Sequence, residues 1–81
     1  MFNVNKLLDE AISETENIKE GEIFLVKDLF KGYFWHRILR KDRLLLGTLF
    51  LNYINKTNGD IQAIEKTSSK QQIYMKRKNN T

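Results

Sequence analysis

A lone β-prone run, Glu22-Ile23-Phe24-Leu25-Val26, constrains this chain more than any other feature. It is short, apolar and partly β-branched, so it reads as one strand. A single strand must pair with another to satisfy its backbone N–H and C=O groups. The other β-prone stretches lie far along the chain, at residues 60–66 and 71–77. Thr67-Ser68-Ser69-Lys70 between them has the composition of a four-residue polar hairpin loop. The lone strand is therefore expected to join a C-terminal hairpin in a small sheet.

The intervening sequence reads as helix. Residues 3–18 place Val4, Leu7, Leu8, Ala11, Ile12 and Thr15 at helical spacing, with Asp9, Glu10, Glu14 and Glu16 opposite. Asn3 or Asn5 can cap it. Gly21 can take the positive φ that follows its end. Asp28-Leu29-Phe30 starts a short helix, expected to be cut at Gly32. Tyr33 to Arg40 fits one or two helical turns or an ordered loop. Residues 41–55 form the clearest helix, with Asp42 in its first turn and Leu45, Leu46, Leu49, Phe50 and Tyr53 on one apolar face. Asn55 to Gly59 supply turn-forming residues after it.

The order helix, strand, short helix, long helix, hairpin predicts an α+β fold of the winged helix-turn-helix kind. One domain over residues 1–78 is expected, with 79–81 a mobile polar tail. At 81 residues with 41% apolar side chains, the chain builds one thin core.

Several functions are disfavoured. There is no cysteine, and His36 is the single histidine, so a zinc site lacks its usual ligands. No Gly-rich phosphate loop or Ser-His-Asp set is seen, and no carboxylate cluster has supporting metal ligands. The expectation is a binding protein without catalytic residues, cofactor or metal. No apolar stretch approaches the ~20 residues that span a bilayer. No signal-peptide pattern is seen, so a cytoplasmic location is expected.

Charge points to a ligand. The net charge is +4, but residues 1–22 carry two lysines against six carboxylates, and residues 23–81 carry twelve Lys/Arg against four. Such asymmetry suits a polyanion or an acidic partner. Arg37, Arg40, Lys41 and Arg43 gather at the entry to the long helix. Lys66, Lys70, Lys76, Arg77 and Lys78 lie on the hairpin and its exit. Both groups are candidates for phosphate contacts. The long helix has few side chains suited to base readout, so weak sequence specificity is expected.

Two apolar features stay open. Tyr33-Phe34-Trp35 either stack on unpaired bases or close the core. Leu44, Thr48 and Leu51 lie roughly opposite the main apolar face, with Gly47 beside them. Either this helix is buried on two sides, or the stripe meets a protein partner or a second copy.

Two motifs carry a resemblance. "F-x-x-K-D-L-F-x-G-x-x-W" spans Phe24 to Trp35, and "R-x-x-L-G-x-x-F" spans Arg43 to Phe50. A hairpin ending Ile73-Tyr74-Met75-Lys76 follows. Together, over about residues 20–77, they resemble a family of short proteins of unknown function from Gram-positive bacteria and their mobile elements. Members are often labelled single-stranded DNA-binding. Relatives include a small protein of staphylococcal cassette elements, encoded with a polymerase whose priming it assists. The resemblance implies a winged-helix-like fold, a role near mobile-element DNA replication, and a polymerase or helicase as partner. It assigns no DNA-contacting residue. Leu44 and Leu51 are compatible with such a partner, and Phe34 would leave the surface unusually apolar. The alternatives are an adaptor or inhibitor that binds no DNA, and a small dimeric transcription regulator.

Overall fold

A computed structural model describes residues 3–57 and 59–77. Helix α1 spans Val4–Glu14. The Asn3 side chain caps it, accepting from the Asn5 N–H at 2.9 Å. A single 3-10 turn, Thr15–Asn17, follows. Gly21 has the positive φ, 86°, that the turn into the sheet requires.

Strand β1 is only Ile23–Phe24, not the five residues expected. The cause is local. The Asp28 carboxylate accepts from the Leu25 N–H at 2.9 Å, and the Asp28 N–H donates to the Leu25 carbonyl at 2.9 Å. These bonds bend Val26–Leu29 into a 3-10 turn and carry the chain off the sheet. Gly32 likewise does not cut a helix. It begins α2, Gly32–Arg37, while Phe30 before it is extended.

Helix α3 runs Arg40–Lys56. Strands β2, Ile61–Lys66, and β3, Gln72–Lys76, form the hairpin. The sheet order is β1-β3-β2, antiparallel throughout. Thus the early strand pairs with the C-terminal hairpin, as its unsatisfied backbone demanded. Ile23 and Phe24 lie against Met75 and Tyr74, while Ala63 faces Tyr74 from the other side. Past Ala63 the β2–β3 register is irregular, and the hairpin extends beyond β1 as a two-stranded wing. In its loop, Lys70 adopts φ 66°, and the Thr67 hydroxyl accepts from the Gln71 N–H at 3.1 Å. The architecture is α+β and winged-helix-like.

The core centres on Tyr74, which is fully buried. Phe50 of α3 meets its ring edge-on at 4.9 Å, and Phe24 stacks on it at 5.8 Å. Leu7 and Ala11 of α1, Val26, Leu29, Ile38, Leu46, Ile54 and Ile61 are the other buried core residues among those described. The buried line of α3 is Leu46, Phe50 and Ile54. Leu45 and Tyr53, expected on that face, are exposed. Burying both flanks of the Leu46 line would need a wider contact than α1 and the small sheet provide. Among the described residues no helix is long and apolar enough to cross a membrane.

Candidate nucleic-acid interface

The turn between α2 and α3 presents the first basic group. Arg37 ends α2, and Arg40 and Lys41 open α3; all three are exposed. The Arg37 guanidinium lies over the Tyr33 ring, 5.1 Å from its centroid. This is the i, i+4 pairing that a helix permits.

Arg43 sits differently. It is half-buried, and its Nε donates to the Ile38 carbonyl at 2.9 Å. One terminal nitrogen donates to the His36 carbonyl at 3.2 Å, and the guanidinium lies 5.7 Å from the Trp35 ring centroid. This side chain clamps the α2–α3 turn and satisfies carbonyls that the end of α2 leaves unpaired. It does not share the open setting of Arg40 and Lys41.

The wing carries the second group. Lys66, Lys70 and Arg77 are exposed. Lys76 is half-buried, and its Nζ donates to the Thr15 carbonyl at 2.9 Å, tying β3 to the end of α1. Lys78 lies outside the described residues. Among the described residues, no lysine or arginine is neutralised by a carboxylate partner. Arg37, Arg40, Lys41, Lys66, Lys70 and Arg77 are the exposed cations of the two groups.

The apolar candidates also separate. Phe34 stacks on Phe30 at 5.9 Å and packs against the core, as does Trp35, 5.7 Å from the same ring. Leu51 packs against the core as well. It follows Phe50 by one residue, about 100° round the helix, and reaches the edge of the buried face. Leu44 is 62% exposed and Thr48 is exposed, with the Thr48 hydroxyl donating to the Leu44 carbonyl at 3.2 Å. The expected stripe is thus divided. Its free apolar part is Leu44, joined by Leu45 and by Leu39 at the helix entry. The helix is not buried on two sides.

The sequence did not reveal the structural use of Arg43 and Lys76 or the exposure of Leu39, and it left Tyr33 open. Nothing in composition separates these basic residues from their neighbours. The signal for Tyr33 was the impossibility of turning three consecutive aromatics inward on one helix.

Comparison with known proteins agrees with the fold. A solved structure described as "SCCmec type IV LP1413 - nucleic acids binding protein" superposes with a TM-score of 0.71 at 18% identity. The match covers 95% of this chain and 96% of that one. At that identity the likeness shows the shared fold. No curated protein matches the chain. The profile of a domain of unknown function, DUF1413, matches residues 9–76, most of the chain, and the protein belongs to that family.

Proposed function

We propose that this protein binds nucleic acid, single-stranded DNA in the first place, through phosphate contacts with little base readout. The observation that carries this reading is the set of exposed cations without carboxylate partners: Arg37, Arg40, Lys41, Lys66, Lys70 and Arg77. Such cations release condensed counterions when they meet phosphates, which drives binding without sequence information. The naming of the fold neighbour as a nucleic-acid-binding protein supports the same reading. Beyond its first turn, the exposed part of α3 offers Thr48, Asn52 and Asn55 but no Arg or Gln, a poor set for reading bases in a groove.

Exposed Leu39, Leu44 and Leu45 favour a second contact, with protein. The role that joins both is an accessory factor of mobile-element DNA replication, held on DNA by its cations and on a polymerase or helicase by these leucines. A pure adaptor would use the leucines alone.

Fluorescence anisotropy with labelled single-stranded and duplex oligonucleotides, each at low and moderate salt, tests the proposal. Tighter binding to the single strand, weakening steeply with salt, is expected. Absence of binding to either at low salt would leave the adaptor reading.

A further inference from the structure

The aromatic run Tyr33-Phe34-Trp35 divides in the fold. Phe34 and Trp35 stack on Phe30 and join the core. Tyr33 is 59% exposed, and its ring contact is the Arg37 guanidinium at 5.1 Å. A single exposed tyrosine is ordinary. This one, however, borders a cleft of about 190 Å³ between α1 and the start of α2. Phe30, Phe34 and Tyr33 give the cleft aromatic walls, and Lys31 lines it together with Glu10 and Glu14 of α1.

We propose that Tyr33 is a stacking platform for one unpaired base, with Arg37 backing its ring and the base entering the cleft beside it. This deepens the nucleic-acid reading and rests on it. The chemistry favours a base over a phosphate in the cleft. Glu10 and Glu14 repel the backbone, yet they accept hydrogen bonds from the exocyclic amino group of a base. Of these two, Glu14 also accepts from the Asn17 amide at 3.0 Å. Lys31, in the cleft lining, and Arg37, against the Tyr33 ring, are placed for the flanking phosphates. A base in a duplex is paired and stacked, so it cannot reach the ring; the site therefore selects single strands.

The test compares an oligo-dC strand with an abasic deoxyribose-phosphate oligomer of equal length at one salt concentration. The proteins are wild type, Tyr33→Phe and Tyr33→Ala. Base–aromatic stacking predicts a wild-type preference for oligo-dC of roughly 5- to 150-fold. Tyr33→Phe keeps that preference. Tyr33→Ala loses it, with its affinity for the abasic oligomer unchanged. An upfield shift of the Tyr33 ring protons on adding oligo-dC gives a second readout. A Tyr33→Ala protein that retains the wild-type preference overturns the proposal. Equal wild-type affinity for both oligomers overturns it while leaving phosphate binding standing. Failure of wild type to bind either oligomer removes both readings.

Discussion

The Arg43 guanidinium lies over the Trp35 ring at 5.7 Å while donating hydrogen bonds to the carbonyls of Ile38 and His36. One side chain thereby holds the turn between α2 and α3, the turn that positions Arg40 and Lys41. Hydrogen bonds from a charged donor contribute about 1.5–3 kcal/mol each before geometry and exposure reduce them. Arg43→Ala is therefore expected to destabilise the fold by about 1–3 kcal/mol in urea denaturation. Arg43→Lys should recover little, since an ammonium cannot present the same planar fork. Arg40→Ala, with no such bonds, should leave stability unchanged.

Lys76 links two layers through its bond to the Thr15 carbonyl. Lys76→Met keeps the apolar stem and removes the donor, so a loss of about 1 kcal/mol is expected by the same denaturation measurement. Lys66→Met on the exposed wing should cost nothing in stability. Equal effects at the two positions would show that the Lys76 bond contributes nothing.

Tyr74 is fully buried, and its hydroxyl has no partner among the described residues. An unsatisfied buried hydroxyl costs about 1–3 kcal/mol, so Tyr74→Phe should leave stability unchanged or raise it by about 1 kcal/mol. Burial also pushes the Tyr74 pKa up from 10.0 to about 12. The unfolded chain then ionises first as pH rises. Stability from this group is fully present below pH 10 and is lost progressively as pH climbs towards about 12. The difference between wild type and Tyr74→Phe, followed by denaturation across that range, isolates the effect from other titrating groups.

Much of this was legible in the sequence. The helical periodicity was clear, and the strands stood out as β-prone runs although their alternation was imperfect; the pairing of the early strand with the hairpin followed from backbone satisfaction. Local competition was harder to read. Asp28 folds back on the Leu25 N–H and shortens β1, a choice decided by one side-chain bond. The phase of α3 was also ambiguous, because Leu44, Leu45, Leu46 and Leu49 offer several apolar faces. Only the position of Tyr74 under Phe50 selects the Leu46–Phe50–Ile54 line. At the candidate site, the basic groups were visible as clusters. Which members are diverted to carbonyls, as Arg43 and Lys76 are, depends on tertiary neighbours.

Exposed cations should act separately from these structural ones. Arg40→Ala, Lys41→Ala and Lys70→Ala are each expected to weaken binding to all oligonucleotides alike. Each should also lower the slope of log affinity against log salt by about one where a phosphate contact is lost. Melting temperatures should not change.

Phosphate binding by the exposed cations of the α2–α3 turn and the wing is tested most directly by titrating isotopically labelled protein with a single-stranded oligonucleotide and following amide NMR shifts at low salt. Amides of Arg40, Lys41 and residues 67–71 are expected to shift together and to saturate at one common concentration. Shifts confined to α1, or no shifts at all, would contradict such binding.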